Sequence, residues 1–379
     1  MNIEELIFNI KQMAPQVSST YCMVNGVIMP LSEVEKMGYE EFSLRSHINK
    51  PLKLYKYFPN VLIEKDGKKV NYSVQALKNN TVFMQEPKEF DDPYDSDISL
   101  DYFTYERQRL IEFCNRCQID VQENLSTQEI GNLFVGSLIK YFQETGGIKG
   151  IVTKQPLNMI EQQANEILQN KLLIELSKDD NWGRAVAKII ESDYEEYCKN
   201  LKNTFRTSCF TTTPYSQLMW SGYANCHKGF CIEYTLQPNE EKYHDLYANL
   251  FPMIYCKVRP DMTERLVEMQ DKEPTMELVW DIYFHGALRK SIDWAYQNEW
   301  RLLIPMRCKN TEDYNIEFFP ITKVFLGNTM PNANRKEIIE ICKEKNIPYI
   351  GVTRKAEVFE MEECSILCED CQKYINGKK

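Results

Sequence analysis

Between Leu218 and Tyr234 the chain reads LMWSGYANCHKGFCIEY, which crowds Cys226, His227 and Lys228 in front of Gly229. Cysteine, histidine and lysine are recruited often for nucleophilic and acid–base chemistry. Gly229 also permits a sharp turn, so a connector between a helix and a strand accounts for the same cluster. A second candidate is Glu299, within SIDWAYQNEWRLLI. A carboxylate at the start of an apolar strand needs a cause. Either it pairs with Arg301, two residues on and on the same strand face, or it stands at a cleft rim and stabilises an oxocarbenium-like transition state. The third is EFDDPYD, which sets Asp91, Asp92 and Asp95 around Pro93. Aspartates before proline start turns by bonding their own backbone; the chemical alternative is a carboxylate cluster for a hard cation, or a loop that positions a substrate.

Other chemistries lack their residues. No G-x-G-x-x-G follows a strand, and G-x-x-x-x-G-K-[ST], H-E-x-x-H and G-x-S-x-G are absent, which removes the Rossmann, P-loop, zincin and α/β-hydrolase readings. The four histidines, His47, His227, His244 and His285, show no helical metal spacing. Cys114 and Cys117 form one C-x-x-C, and Cys364, Cys368 and Cys371 a C-x-x-x-C-x-x-C. Two such knuckles could build a tetrahedral zinc site, but most of the chain separates them and the first pair lies in a helical pattern, so zinc is disfavoured.

The elements that would position these residues follow from periodicity and turn signals. The first 50 residues, with a short helix over Ile3–Met13, read as an N-terminal extension. Strands are expected at LKLYKYF (Leu52–Phe58), FRTSCFTTT, GFCIEYTL, PMIYCKV, EWRLLIP, ITKVFLG, PYIGVT and EVFEM. Helices are expected near 98–117, Ser216–Ala224, Met276–Gln297 and Asn334–Lys345, with PKEFDDPYD a loop. Helical periodicity at Thr127–Tyr141, Met159–Leu176 and Trp182–Tyr197 suggests a helical insertion over 117–203. It would interrupt an α+β core of 51–116 and 204–363, with mixed, mainly antiparallel sheet and flanking helices, and a tail over 364–379 follows.

Composition bounds the partners. Hydrophobic residues at 43% and aromatics at 12% fit a globular chain. The formal charge of -10 argues against an extended nucleic-acid surface, which needs a basic face. MNIEELIFNI lacks the basic start of an export signal, and no apolar run is long enough to span a membrane. A cytoplasmic protein with reduced thiols is expected, and its thirteen cysteines cannot all pair.

In order, LYKYF, EFDDPYD, CFTTT…LMWSGYANCHKGFCIEY, RKSIDWAYQNEWRLL and ITKVFLG resemble a bacterial family of unknown function with F-N-D-P-F-D, M-W-x-x-Y-x-x-x-H-x-G and W-x-x-E-x-E-x-R signatures. The likeness runs from about Leu52 to Gly351, with Asp91 in place of Asn and Gln297 in place of the first Glu. The chain also resembles NAD-using ADP-ribosyltransferases. Lys56 between Tyr55 and Tyr57 is similar to their first-strand basic residue, FTTT (Phe210–Thr213) to their Ser-Thr-Ser strand, and Gln297-Asn298-Glu299 to their Gln/Glu-x-Glu.

This second resemblance implies that Glu299 polarises the nicotinamide ribose of NAD and that Gln297 orients the acceptor. Arg301 and His227 complete the catalytic set. Lys56 would meet the pyrophosphate between Tyr55 and Tyr57, Thr211 would support Glu299, and Trp220 or Tyr223 would stack on a ring. Asp92, Asp95 and Lys290 would position substrate. The partners implied are a small-molecule nucleotide and a protein acceptor, in a phage-defence or toxin role. Two other classes stand beside it: a metal-dependent hydrolase or nuclease using Asp92, Asp95, His227 and Glu299, and a non-catalytic sensor or binding module.

Overall fold

A computed structural model of the chain describes residues 19–65, 67–116, 205–271, 284–305 and 314–364, with scattered positions at 118–133 and 192–203. The expected helices at Ile3–Met13 and Met159–Leu176, most of those at 127–141 and 182–197, and Cys117, Cys368 and Cys371 lie outside these residues. Two compact units divide the chain. The first takes Met1–Asp97, Leu201–Pro260 and Tyr283–Lys379, the second Ile98–Asn200 and Asp261–Ile282.

The first unit runs β1 (Tyr21–Val24), β2 (Val27–Pro30), α1 (Leu31–Lys36), α2 (Tyr39–Ile48), β3 (Lys53–Phe58), β4 (Ile63–Lys65), β5 (Lys68–Val70), α3 (Tyr72–Asn79) and β6 (Thr81–Phe83). After the second unit's α4 (Tyr102–Arg116) come β7 (Phe205–Thr211), α5 (Gln217–Gly222), β8 (Phe230–Thr235), α6 (His244–Ala248), β9 (Leu250–Pro252) and β10 (Ile254–Cys256). The second unit's α7 (Thr263–Asp271) is followed by β11 (Arg289–Ser291), β12 (Glu299–Pro305), β13 (Asn315–Glu317), β14 (Ile321–Leu326), α8 (Asn332–Glu344), β15 (Tyr349–Arg354) and β16 (Met361–Glu363).

Eight strands form one sheet in the order β16-β15-β14-β8-β3-β7-β12-β9, and four form another, β11-β10-β1-β2. Only β14–β15 and β10–β11 pair in parallel within these sheets, so the fold is α+β with mixed, mainly antiparallel sheet. Alternation explains the layering. Leu54 and Phe58 of β3, Phe210 of β7, and Trp300 and Leu302 of β12 enter one core, which Val74 and Leu77 of α3 and Ile338 of α8 also join. Tyr57, Cys231 and Phe325 face the other way, onto Met219 and Trp220 of α5.

Local chemistry sets the helix ends. Asn71 caps α3 by accepting the Val74 N–H at 3.1 Å, and Asn80 closes it at φ 53, a left-handed stop that asparagine tolerates. In the second unit, α4 and α7 pack together, with Leu110 and Leu266 buried. The Thr263 hydroxyl there accepts the Asp101 N–H at 2.7 Å.

Three expectations differ from what is observed. Residues 21–48, assigned to an N-terminal extension, are built into the first unit, because β1 pairs with β10 and fills a core with Val34 and Phe42. Of the helix expected over Met276–Gln297, residues 276–283 lie outside the described residues and 284–287 are helical, but the C-terminal part is strand β11 followed by a 3₁₀ turn over Ile292–Gln297. Parallel pairing of Arg289–Ser291 with Ile254–Cys256 overrides the helical period, and Ser291 then caps the turn. Of EVFEM only Met361 enters a strand, Met361–Glu363, and Phe359 stands 96% exposed before it.

Candidate functional site

Register brings three of the expected residues into one row. Tyr55 of β3 lies opposite Thr211 of β7, and Thr211 opposite Glu299 of β12. Directly opposed residues share a sheet face, so the row is a single side of the sheet. On β12, Trp300 and Leu302 take the apolar core, which leaves Glu299 and Arg301 on the row's side, both buried.

Charge pairing satisfies them. Arg301 Nε donates to Glu299 Oε1 at 2.8 Å. Its two terminal nitrogens grip Asp95 at 2.8 and 2.7 Å, a bidentate match of guanidinium to carboxylate. Further donation goes to Ser96 Oγ at 3.1 Å and the Ala287 carbonyl at 2.8 Å. Lys290, brought by β11, donates to Glu299 Oε2 at 3.1 Å and Gln297 Oε1 at 2.9 Å and lies 3.2 Å from Asp95 Oδ2. Gln297 then donates to the hydroxyl of Tyr223, which is 41% exposed and marks the open side.

The EFDDPYD loop is shaped to deliver Asp95. Asp92 Oδ1 accepts the Tyr94 N–H at 2.9 Å and its carbonyl accepts the Asp95 N–H at 3.1 Å, the turn expected of an aspartate before proline. Asp92 is therefore a shaping residue and Asp95 the one that reaches the network. Ser96 holds a buried left-handed backbone, φ 55, beside it, and such conformations persist only where the surroundings enforce them. On the other flank Asn298 is also left-handed, φ 42, and its amide donates to Thr212.

The protonation states follow from this packing. Burial pushes Glu299 toward neutrality, but Arg301 and Lys290 outweigh it and hold its carboxyl at about 2, helped by the Cys209 thiol. Asp95 is likewise lowered, burial being overcome by Arg301 and Lys290. Burial opposes the charge of Lys290, yet Glu299 and Asp95 keep the ammonium well above its usual range. Cys209, opposite Arg301 in the sheet, is raised to about 12 by burial and by Glu299. Burial also lifts Tyr223 to about 12.

Thr211 has a buried hydroxyl with no hydrogen-bond partner among the described residues, beside Glu299 in register. The remaining expected residues divide. Tyr55 donates to Glu233 at 3.1 Å, while Tyr57 is buried and donates to the Thr213 carbonyl. Lys56 alternates away from both and donates to Ser208 Oγ and the Cys209 carbonyl, each at 3.0 Å, so its ammonium is committed within the sheet. Trp220 is fully buried, with Nε1 on the Pro214 carbonyl at 2.7 Å. It is a core residue and does not stack on a ligand; of the two aromatics, only Tyr223 is exposed.

His227 sits in a run of left-handed residues, Asn225, Cys226 and His227. Its Nε2 lies 3.3 Å from Ser221 Oγ and its ring stacks on Trp220. Its carbonyl accepts from Thr329. Burial and Arg354 lower its pKa. The connector packs so closely that a Cβ on Gly229 would lie 1.9 Å from the Phe58 carbonyl oxygen. NCHKG is thus a tight joint, and His227 serves that joint. Among the described residues no group of three or more His, Cys, Asp or Glu is placed to hold a metal.

Residues that sequence alone did not single out complete the site. Tyr255 of β10 accepts the Glu299 N–H at 2.7 Å and lies opposite Lys290 in the parallel pair. Ser96 and Cys209 touch the network as described. A left-handed asparagine at 298 was foreshadowed only by its residue type.

Residues 219–302 match the model of a family described as a protein of unknown function (DUF2971), a span that runs from α5 through the network strand β12. No curated protein and no solved structure matches the chain. Among the described residues no helix is long and apolar enough to cross a membrane.

Proposed function

We propose that this chain is an NAD-consuming enzyme of the ADP-ribosyltransferase type. The observation that carries the reading is the cross-strand row Tyr55–Thr211–Glu299. Three short, widely separated sequence elements fall on neighbouring strands in register, with Tyr55, Thr211 and Glu299 on one face, while Lys56, the basic residue of the first element, turns to the other face and bonds within the sheet. Chance resemblance of isolated tripeptides does not require that.

In this reading the bond between the ribose anomeric carbon and the nicotinamide nitrogen breaks. The electron pair leaves with nicotinamide, whose ring becomes neutral, and positive charge develops on the ribose. Glu299 is already ionised, so it can face that charge without first losing a proton, and fixed charge in a water-poor site stabilises such a state strongly. Each carboxylate oxygen can accept more than one hydrogen bond, so Glu299 retains capacity for a ribose hydroxyl beside its bonds to Arg301 and Lys290. Thr211 offers its unpartnered hydroxyl to the same group. Gln297, next to the half-open Tyr223, orients the acceptor, which is water for hydrolysis or a protein side chain for transfer. The expected setting is the bacterial cytoplasm, as a defence or toxin effector.

The test is to incubate the purified full chain with NAD, alone and with cell lysate, and to follow nicotinamide release and label transfer. Release should fall at least ~100-fold in Glu299→Gln, with folding checked by circular dichroism and urea unfolding. Gln297→Ala should lose transfer more than hydrolysis. Absence of release by the parent chain under every condition would overturn the proposal and leave the non-catalytic binding module.

A further inference from the structure

We infer that Cys22 and Cys256 form a reversible disulfide that staples the edge hairpin β1–β2 to strand β10. The two residues are direct cross-strand partners in an antiparallel pair, and both are buried free thiols. Which kind of pair they form decides whether sulfurs can join, and the backbone answers it. The Ile254 N–H donates to the Leu288 carbonyl at 2.8 Å, so Ile254 turns its polar groups toward β11. Alternate residues of a strand turn the same way, so Cys256 also faces β11 and Tyr255 faces β1. Met23–Tyr255 is then the hydrogen-bonded pair, and Cys22–Cys256 is a non-hydrogen-bonded one.

In such pairs the Cα atoms stand ~4.5 Å apart and the side chains are closest, at the short end of the range that a disulfide spans. A bond can therefore form there without large backbone movement, and a disulfide near a sheet edge, open to small thiols, is readily reduced. Each thiol is a weak donor to a nearby backbone carbonyl. Cys22 Sγ lies 3.7 Å from the Met29 carbonyl, and Cys256 Sγ lies 3.0 Å from that of Val258. The guanidinium of Arg289 favours the thiolate of both, against a larger opposing effect of burial. Access comes from the sheet edge, since β1 and β2 are four residues each and Val27 and Ile28 are exposed, and short edge elements open locally.

The oxidant class is a small disulfide such as oxidised glutathione. One thiolate of the pair attacks its S–S bond, forms a mixed disulfide and expels one small thiolate. The second protein thiolate attacks the mixed disulfide and expels the other. The two thiol protons pass to the two expelled thiolates, so two protein thiols and one small disulfide become one protein disulfide and two small thiols. The staple would fix the residue next to Tyr255, whose hydroxyl holds the Glu299 N–H, but its formation does not depend on the activity proposed above.

The test uses the full chain with Cys226→Ser, which removes an exposed thiol. It is equilibrated in a glutathione redox buffer by two routes, from the folded reduced state and by refolding from urea. Peptide mapping without reductant should give a Cys22–Cys256 cross-linked pair two hydrogens lighter than its parts, with the loss of two alkylatable thiols. Dithiothreitol should reverse it, and Cys22→Ser should remove it. Full alkylation of both cysteines after both routes, or glutathione retained on either without a cross-link, would overturn the inference.

Discussion

Arg301→Met is the most discriminating perturbation of the network. Methionine keeps length and apolar bulk but removes five hydrogen bonds, two to Asp95 and one each to Glu299, Ser96 and the Ala287 carbonyl. The charge balance also changes. Asp95 and Glu299 now oppose Arg301 and Lys290; without Arg301 one negative charge is uncompensated, on carboxylates that are 2% and 4% exposed. Removing one partner of a buried ion pair costs about 3–5 kcal/mol. Because Lys290 remains and a carboxylate can take up a proton, the low end, ~3 kcal/mol, is expected near neutral pH.

The pH dependence gives a sign that simple packing loss cannot. In the parent, Glu299 is held at about 2 against an ordinary 4.5. Its ionisation therefore contributes stability that is complete above the ordinary value and lost as pH falls toward the folded one. In Arg301→Met, burial, the largest influence on both carboxylates, loses its main opponent. At least one carboxyl is then raised above its ordinary value, and stability should rise as pH falls through that raised value. Urea unfolding between about pH 7 and pH 5 should show the deficit of the variant shrinking, by up to ~1.4 kcal/mol per pH unit for one proton. A deficit below ~1 kcal/mol, or one that widens in acid, would refute this account of the network.

Other outcomes follow from the same geometry. Gly229→Ala places a Cβ 1.9 Å from the Phe58 carbonyl oxygen and 3.1 Å from that of Ala224; backbone cannot yield cheaply, so thermal denaturation should report a loss of at least ~2 kcal/mol. His227→Gln should change nicotinamide release less than ~10-fold, because the histidine serves the joint; a loss of ~100-fold or more, typical of a general acid or base, would return it to the catalytic set. Since Glu299 is held ionised at about 2, the pH profile of turnover should show no inflection near the ordinary carboxyl range, and an acid limb at about pH 4–5 would contradict that state.

What could be read from the sequence was what depended on neighbours in the chain. LKLYKYF, rich in apolar and aromatic residues, is strand β3; Asp92 before Pro93 announces its turn. Glu299 and Arg301 were identified by their misfit in an apolar strand, and their pairing is as alternation predicts. Illegible were features set by distant contacts. The segment Arg289–Gln297 has a passable helical period, and only its pairing with β10 makes it strand and 3₁₀ turn. Trp220 looked like a stacking platform because a tryptophan near a cleft motif suggests one; its complete burial depends on Tyr57 and Pro214, neither adjacent in sequence. Tyr255 carried no local signal, since its partner is a backbone N–H 44 residues away.

Stability alone does not account for the Asp95–Arg301–Glu299–Lys290 network. Well-packed apolar residues in place of a buried ion network are often as stable or more so, and the surrounding core already supplies large apolar side chains at Trp300 and Leu302. The network is flanked by Ser96, a left-handed non-glycine residue and so an added conformational cost, and by Asn298, whose residue type tolerates that conformation. It also leaves the Thr211 hydroxyl buried and unsatisfied among the described residues, a further cost of about 1–3 kcal/mol. Two separate costs thus converge on one carboxylate that is kept ionised a short step from an exposed tyrosine. The catalytic role proposed for Glu299 would account for that coincidence.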